Sequence, residues 1–570
     1  MTTRPGLRVA RPGDLGARAG ARLPAGMAVE LDPDTRQLTE DVLFGGSPAR
    51  VVRLSAAGRE ALAELRGGTV TSAAGAALAG RLADTGLAHP RPAPAGDALD
   101  VTVVIPVRDR AGELDRCLTA AGTRYPVLVA DDGSANPAAV AEVCAAHGAR
   151  LLRRPVSGGP GAARNTALAQ ARTEFVAFLD SDCIPAPGWI GGLAGHFADP
   201  LVAAVAPRIV APAGRGGETD DGGANAAGAS GGCADAGGAD DGGVSGGCAD
   251  AGGADDGGAG GGGGTLDLGD RPARVAPLTR VSYVPTAALL VRRAVLGDGF
   301  DPALRYGEDV DLVWRLTEAG WRVRYEPSVQ VAHADPEGRA ALLARRFRYG
   351  TSAAPLACRH PGALTPLILQ PWPALTMAAL LARRPVLAGA AFGASTALLA
   401  RRLRANGLPA DGLARPMAGG VWQTWLGTGR WCGQFAAPAV LAVLARPGGA
   451  TVRTRWGRRL AAASLLAGPP LTQWARDRKA SGSERSGHQG VREAAGPERA
   501  GRHSREIPAG PAVRHELLAA LRQVAETLTD QAAYGAGVYA GCLRERTLAP
   551  VLPVISGKPF EGLRSRRETG

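Results

Sequence analysis

Short apolar runs alternate with helical patterns through the middle of the chain. Val101–Val107 is a run of mostly β-branched residues, which is typical of a strand buried on both faces. Further strand and helix patterns follow it in turn, at 113–121, 127–130, 138–147, 151–152, 161–171 and 175–179. Strands that alternate with helices over about 80 residues predict a doubly wound α/β domain.

A small module precedes this domain. Residues 1–25 have no regular pattern and are predicted to be a flexible leader. Residues 26–90 hold strand patterns followed by helical patterns at 56–65 and 73–85, an order that predicts a winged-helix-like module. A Pro-rich linker joins it to the α/β domain, which is expected to cover 100–345.

The region after the α/β domain is apolar, with arginine clusters between the apolar runs. The run 363–382 is long enough to span a bilayer, but three prolines interrupt it. Two interpretations of 346–475 stay open: a membrane-associated region on the cytoplasmic face, with one or two spans, and a buried helical subdomain. Residues 476–510 are predicted to be a disordered linker, and 511–570 to hold a C-terminal amphipathic helix and tail.

Composition removes several classes of function. Lys and Arg outnumber Asp and Glu by 65 to 53, but the excess is scattered arginine, so no nucleic-acid partner is expected. Eight cysteines without CxxC or zinc-ligand spacing favour a reducing compartment. The N-terminus has no apolar run, so no signal peptide is expected. Residues 213–264 contain a Gly/Asp-rich repeat that cannot offset its ordering entropy, which predicts a disordered insertion in a surface loop.

Three strands of the α/β domain end in residues that suit ligand binding. The endings are Pro106-Val107-Arg108-Asp109-Arg110, Asp131-Asp132-Gly133-Ser134 and Asp180-Ser181-Asp182. Because the carboxyl ends of parallel strands meet at one edge of a sheet, where ligands bind, we expect these endings to converge. A cluster of carboxylates repels itself, so the site calls for a cation, a nucleotide or both.

The string Asp180-Ser181-Asp182 gives the sharpest chemical signal. Carboxylates two residues apart in a strand-end turn can both reach one ion, and oxygen ligands suit Mg²⁺ or Mn²⁺. Such an ion bridges phosphates and neutralises a departing diphosphate. His333 follows a strand pattern and is a candidate further ligand, although a lone histidine is more often structural.

Other residues are candidates for nucleotide binding and proton transfer. Asp131 and Asp132 can accept hydrogen bonds from a base and a ribose hydroxyl, although the alternative is a simple turn. Arg164 lies in a Gly-rich helix start that can face an anion. Glu308 and Asp309 begin a helical pattern, where they are either an acidic cap or the source of a general base for an acceptor hydroxyl.

Taken together, these strings resemble glycosyltransferase family 2. The matching strings are Val103-Val104-Ile105-Pro106-Val107, Ala130-Asp131-Asp132-Gly133-Ser134, Gly161-Ala162-Ala163-Arg164-Asn165, Phe178-Leu179-Asp180-Ser181-Asp182, Gly307-Glu308-Asp309-Val310-Asp311-Leu312, and His333. The resemblance implies a GT-A (Rossmann-like) fold and an inverting reaction. It also implies that Asp132 and Asp180 touch the nucleoside, that Asp182 with His333 holds the metal, and that Asp309 is the base.

Strings outside this domain, at 31–35, 43–48, 347–352 and 533–547, resemble the members of the family that act in mycofactocin biosynthesis in actinobacteria. The resemblance implies transfer of glucose from UDP-glucose to a peptide-derived redox cofactor or its precursor, which forms a β-1,4-linked oligosaccharide. The module 26–90 would then either recognise a peptide by strand addition or only brace the catalytic domain. Two alternatives stay open: a membrane glycosyltransferase of cell-wall polysaccharide or glycolipid synthesis, and a non-catalytic scaffold for peptide maturation.

Overall fold

The computed structural model of the protein describes residues 7–16, 22–95, 99–212, 266–333, 338–446, 452–490 and 510–555. The Gly/Asp-rich insertion predicted at 213–264 lies outside the described residues. Parts of the predicted leader and of the predicted linker 476–510 lie outside them as well.

The N-terminal module consists of short strands and a helix pair. Its elements are β1 (Ala28–Leu31), β2 (Arg36–Thr39), β3 (Val42–Gly45), β4 (Arg50–Arg53), α1 (Ala56–Arg66), α2 (Ala73–Thr85) and β5 (Ala88–Arg91). β2, β3 and β4 form an antiparallel sheet, and β1 pairs with β5. Ser55 and Ser72 begin the two helices by accepting hydrogen bonds from the N–H groups of Gly58 and Gly75. The strands and helices occur in the predicted order, and the winged-helix likeness stays a prediction.

A mixed sheet forms the centre of the α/β domain. Its strands are β6 (Val101–Val107), β7 (Val127–Asp132), β8 (Arg150–Arg154), β9 (Phe175–Leu179), β10 (Cys183–Pro185), β11 (Val202–Val210), β12 (Ala273–Val275), β13 (Ala288–Arg292) and β14 (Arg322–His333). The helices of this domain are α3 (Ala111–Ala121), α4 (Pro137–Ala146), α5 (Pro160–Leu168), α6 (Trp189–Ala194) and α7 (Glu308–Glu318). The strand order is β10-β14-β11-β13-β9-β6-β7-β8, and β12 pairs with β14.

The direction of the strands determines where a ligand can bind. β6, β7, β8 and β9 are parallel, as the alternating pattern predicted. β13 runs antiparallel between β9 and β11, so the second half departs from a purely parallel sheet. β14 is parallel to β11 and therefore to β9. The carboxyl ends of β6, β7, β9 and β14 consequently meet at one edge of the sheet.

Alternate residues of the buried strands pack into two hydrophobic cores, one on each face of the sheet. Val104 and Phe178 pack into the core that contains Trp314 of α7. Ile105 and Leu179 pack into the core that contains Leu114 of α3. Burial on both faces explains why these strands are continuous apolar runs in the sequence.

The N-terminal segments are attached near the amino end of β14. Arg322 donates to both carboxylate oxygens of Asp84 at 2.7 Å. Trp321 Nε1 donates to the carbonyl oxygen of Ala10 at 2.6 Å, so the flexible-leader prediction is wrong for residues 7–16. His333 lies at the other end of this 12-residue strand, so the module is attached roughly 30 Å from it.

The C-terminal region is helical. Its elements are α8 (Arg339–Gly350), α9 (Ala353–Arg359), α10 (Pro371–Leu381), α11 (Pro385–Ala405), α12 (Ala414–Trp431), α13 (Ala437–Ala445), α14 (Val452–Gly490) and α15 (Gly510–Glu545), together with the paired strands β15 (Ile368–Leu369) and β16 (Val554–Ile555). α14 continues through Gly490, so the disordered-linker prediction is wrong for 476–490. Within the part of the chain that the structure describes, α11 is the one helix long and apolar enough to cross a membrane.

The last helix packs against α8 through small residues. A Cβ atom added at Gly537 would lie 2.0 Å from the carbonyl oxygen of Phe347, and one added at Gly350 would lie 2.2 Å from the carbonyl oxygen of Tyr534. Only glycine allows the two backbones to approach this closely. The C-terminal string noted in the sequence therefore fixes α8 in place, directly before α9 and close to the start of α7.

Candidate active site

A tight turn at the end of β9 presents Asp180 and Asp182. The N–H of Cys183 donates to the carbonyl oxygen of Asp180 at 3.0 Å, which closes the turn before β10. β10 pairs with the end of β14 in a register that sets Cys183 opposite His333. As a result, Nε2 of His333 lies 3.6 Å from Oδ1 of Asp182. The structure thus brings together the two residues that were predicted to bind metal.

Arg164 bridges the two halves of the site. It lies on α5 and is only 2% exposed. Its Nη2 donates to Oδ1 of Asp180 at 2.6 Å, and its Nη1 donates to Oε1 of Glu308 at 2.9 Å. Burial opposes the charge of Arg164, but the two carboxylates raise its pKa above the ordinary value. This bridge explains why the site contains Arg164, and its predicted contact with a nucleotide stays a prediction.

Glu308 and Asp309 form the first turn of α7. Gly307 before them has a φ of 76°, and a Cβ atom there would lie 3.0 Å from Oγ of Ser352. Burial raises the pKa of Glu308 to about 7, and the charge of Asp309 adds to the rise. Burial also raises the pKa of Asp309, although the N–H of Val310 donates to its Oδ1 and opposes the rise. A carboxylate whose pKa moves toward neutrality is a better general base. Because Glu308 is already bound to Arg164, Asp309 is the better candidate for this role.

The Asp131-Asp132 pair is held by the chain itself. Oδ1 of Asp131, which is fully buried, accepts from the N–H and the hydroxyl of Ser134 at 2.9 and 2.6 Å. Asp132 accepts hydrogen bonds of between 2.7 and 3.0 Å from Arg154, Ser157, Gly158 and Gly159. Burial alone would raise the pKa of Asp132, but these donors lower it. The pair shapes the Gly-rich loop before α5, and its predicted contact with a nucleoside stays a prediction.

The loop after β6 holds Arg110, which the sequence analysis placed in a strand ending without assigning it a role. Asp109 has a φ of 56°, and its Oδ1 accepts from the N–H of Ala135 at 2.6 Å, which fixes the loop. The two flanking arginines reach different parts of the site. Nη1 of Arg108 donates to Oγ of Ser157 at 3.1 Å, whereas Arg110 donates to Oδ2 of Asp182. The sequence offered one signal for the role of Arg110: Arg108-Asp109-Arg110 puts two arginines directly after β6, close to the predicted carboxylates.

Three other residues complete the description of the site. Pro106 is buried within β6, and Ser181 is buried inside the turn that follows β9. Tyr349 of α8 was also missed as a site residue: burial raises its pKa, and the nearby charge of Asp309 adds to the rise. The string at 347–352 that contains Tyr349 was noted in the sequence, but nothing in it indicated proximity to Asp309.

The predicted metal ligands fit a divalent cation as part of a shell. Among the described residues, no group of three or more His, Cys, Asp or Glu side chains could hold a metal ion. Asp182 and His333 supply one oxygen and one nitrogen donor 3.6 Å apart. Mg²⁺ commonly uses one or two protein ligands and takes the rest from phosphates and water. The pair therefore suits an ion that is shared with a nucleoside diphosphate.

Comparison with known proteins agrees with this geometry. Residues 102–224 match the family model described as Glycosyl transferase family 2, a stretch that contains the turns after β7 and β9. The pre-mycofactocin glycosyltransferase of Mycobacterium tuberculosis (strain ATCC 25618 / H37Rv) is 44% identical over 353 residues, which is 61% of this chain and 67% of that relative. The chain belongs to glycosyl transferase family 2. It is thus a glycosyltransferase with a GT-A-like α/β domain and a helical C-terminal region.

Two solved structures are more distant. A mannosyltransferase from Pyrobaculum calidifontis, in complex with GDP-Man and Mn²⁺, has 16% sequence identity and a TM-score of 0.37, covering 80% of this chain and 90% of that one. A glucosyl-3-phosphoglycerate synthase from Mycobacterium tuberculosis, in complex with Mn²⁺, UDP and glucosyl-3-phosphoglycerate, has 23% identity and a TM-score of 0.18, covering 21% of this chain and 46% of that one.

Proposed function

We propose that this glycosyltransferase transfers glucose from UDP-glucose to mycofactocin, a peptide-derived redox cofactor, or to its precursor, and builds a β-1,4-linked oligosaccharide. The 44% identity to a pre-mycofactocin glycosyltransferase supports the acceptor. The resemblance carried by the sequence strings supports the donor and the linkage. The single structural observation that carries the catalytic part is the Arg164 bridge, which joins Asp180 to Glu308 and so sets Asp309 near the metal candidates.

The proposed reaction is a single displacement at the anomeric carbon of the sugar. The acceptor oxygen forms a bond to that carbon while the bond from the carbon to the β-phosphate oxygen breaks. Asp309 takes the proton of the acceptor hydroxyl, and UDP leaves. Arg164 keeps Asp180 and Glu308 in fixed positions, which holds the adjacent Asp309 in place on the first turn of α7. A divalent cation at Asp182 and His333 would neutralise charge on the departing diphosphate.

A mass-spectrometric assay tests this function. The enzyme is incubated with Mn²⁺, the mycofactocin precursor and either UDP-glucose or GDP-mannose. A ladder of hexose additions that requires UDP-glucose and disappears with a chelator is the expected result. Hexose on a lipid acceptor, with none on the precursor, would instead favour the membrane glycosyltransferase of cell-wall or glycolipid synthesis.

The N-terminal module remains open to two roles within this proposal. Its attachment near Arg322 lies roughly 30 Å from His333, so a peptide bound to it would need about nine extended residues to reach the His333 end of β14. The ion pair between Asp84 and Arg322 supports the bracing role. Deletion of residues 1–90 should weaken acceptor affinity and spare donor hydrolysis if the module binds peptide, whereas a brace predicts that both fall.

We also propose that the C-terminal helices meet the cytoplasmic face of the membrane. Residues 361–475 contain twelve arginines and a single acidic residue, Asp411. Val386 is 86% exposed and Leu380 is 55% exposed. Arginine beside exposed apolar side chains suits an anionic lipid surface.

Sedimentation with lipid vesicles tests the membrane proposal. We expect binding to vesicles that contain phosphatidylglycerol, little binding to phosphatidylcholine vesicles, and weaker binding of Val386→Asp. Equal recovery in the supernatant with both kinds of vesicle would contradict the proposal.

A further inference from the structure

The carboxylate of Asp182 is shared between two partners. Its Oδ2 accepts from Arg110, and its Oδ1 lies 3.6 Å from Nε2 of His333. The Asp182 side chain is 14% exposed and the Arg110 side chain is 50% exposed, so the guanidinium covers the carboxylate from the solvent side. The space that a shared cation and diphosphate would use is therefore the space that Arg110 now reaches.

The backbone at Arg110 is fixed, whereas half of its side chain is exposed to solvent. Asp109 is bound through its own N–H to Oγ of Ser134 at 2.9 Å and through its Oδ1 to the N–H of Ala135 at 2.6 Å. Arg110 follows it directly and begins α3. A half-exposed arginine on a fixed backbone position can exchange one anionic partner for another without moving the loop.

We propose that Arg110 is the counter-ion of Asp182 in the nucleotide-free enzyme and turns onto the diphosphate of the donor when the donor binds. The inference rests on the proposed function, because that function assigns Asp182 to the metal. Without nucleotide, a divalent cation at Asp182 lies beside a guanidinium and is repelled by it. With a diphosphate present, the added negative charges accommodate both positive groups, and the guanidinium can donate to phosphate oxygens.

This exchange makes metal binding depend on the nucleotide. Arg110 competes with a lone cation for Asp182 but assists the same cation when a diphosphate accompanies it. A residue with only a structural role would weaken both kinds of binding when it is removed. The opposite signs of the two effects are therefore specific to the proposal.

Titration of Mn²⁺, followed by its electron paramagnetic resonance signal, measures both effects without any sugar or acceptor. The probes are Mn²⁺ alone, Mn²⁺ with inorganic pyrophosphate, and Mn²⁺ with UDP. For Arg110→Gln we expect Mn²⁺ alone to bind about three- to fivefold more tightly, since the Arg110 side chain is half exposed and its charge is partly screened. We expect Mn²⁺ with pyrophosphate or UDP to bind at least about tenfold more weakly.

Two variants serve as controls. Arg116→Gln removes an exposed arginine of α3 that lies outside the site residues named here, and it should leave the affinity for Mn²⁺ alone unchanged. Arg110→Lys keeps the charge without the planar fork, so it should retain the competition with Mn²⁺ and lose part of the diphosphate contact. Near-ultraviolet circular dichroism checks that each variant is folded.

The outcomes separate this inference from the proposed function. Unchanged or weaker binding of Mn²⁺ alone in Arg110→Gln, or binding too weak to detect in both it and the wild type, overturns the role of Arg110. If Asp182→Asn binds Mn²⁺ with pyrophosphate as tightly as the wild type, the metal assignment in the proposed function is wrong, and the inference falls with it.

Discussion

Two pairs of carboxylates lie at the carboxyl ends of β7 and β9, the two strands that flank β6 in the sheet, and they have different surroundings. Asp132, the last residue of β7, accepts hydrogen bonds from Arg154 at the end of β8 and from the loop before α5, including the N–H groups of Gly158 and Gly159. Asp182, after β9, faces the half-exposed side chain of Arg110 and the imidazole of His333. Both pairs lie at the ligand-binding edge of the sheet. The difference shows that a strand-end position identifies the edge, whereas the donors around a carboxylate decide whether it holds the chain or can bind a ligand.

The largest effect is expected on the rate of sugar transfer, at the end of the site that contains Asp182 and Asp309. Asp309→Asn removes the proposed base, so sugar transfer should fall by about 10²- to 10⁴-fold. The affinity for UDP with Mn²⁺ should stay close to that of the wild type, because Asp182 and His333 are untouched. Transfer rates check the expected loss of activity, and calorimetric UDP titrations check the unchanged affinity. Near-normal transfer would mean that another residue is the base.

A smaller effect is expected on donor binding. Asp182→Asn should weaken the binding of UDP with Mn²⁺ by about 10- to 100-fold, because it removes one of two protein donors to the ion. The melting temperature of Asp182→Asn should not fall, since among the described residues Asp182 contacts only the side chains of Arg110 and His333 and, unlike Asp132, accepts no hydrogen bonds from backbone N–H groups of a loop. A large loss of stability would place Asp182 in the same class as Asp132.

For Asp131 and Asp132, at the end of β7, we expect a loss of stability rather than a loss of donor binding. Asp132→Asn removes the charge that accepts from Arg154, Ser157 and two glycine N–H groups, so the free energy of unfolding should fall by about 3 kcal/mol. Chemical denaturation measures the change, and Asp115→Asn, on an exposed helix position, is the control. Unchanged stability of Asp132→Asn would contradict the claim that Asp132 holds the chain whereas Asp182 is available to bind a ligand.

The smallest effect concerns pH. Burial raises the pKa of Glu308 to about 7 and raises that of Asp309, whereas the pKa of Asp132 is lowered. Since the base must be ionised, kcat/KM should fall as the pH drops through the raised pKa of the Glu308–Asp309 pair. Glu308→Gln removes a neighbouring negative charge, so this decline should move to lower pH. A wild-type decline near the ordinary aspartate value of 3.8 would contradict the raised pKa.

The sequence predicted the elements and the edge of the sheet, but not the partners of each carboxylate. Continuous apolar strands and alternating helices give β6 to β9 because their pattern follows from burial on both faces. The meeting of Asp182 with His333 depends on the antiparallel pairing of β10 with β14, which joins segments far apart in the chain. The Arg164 bridge and the Arg110 contact depend on side-chain directions that no spacing reports. The predictions for residues 7–16 of the leader and for the end of α14 were wrong, because tertiary contacts and helix continuation order segments whose composition is polar and Gly-rich.

A crystal structure of the enzyme with UDP and Mn²⁺, with the ion located by its anomalous scattering, tests the central distinction most directly. The account predicts a single manganese peak at Asp182 and His333, with Arg110 turned onto the diphosphate and Asp132 still bonded to Gly158 and Gly159. A manganese peak between Asp131 and Asp132, with the Gly-rich loop released, would contradict it.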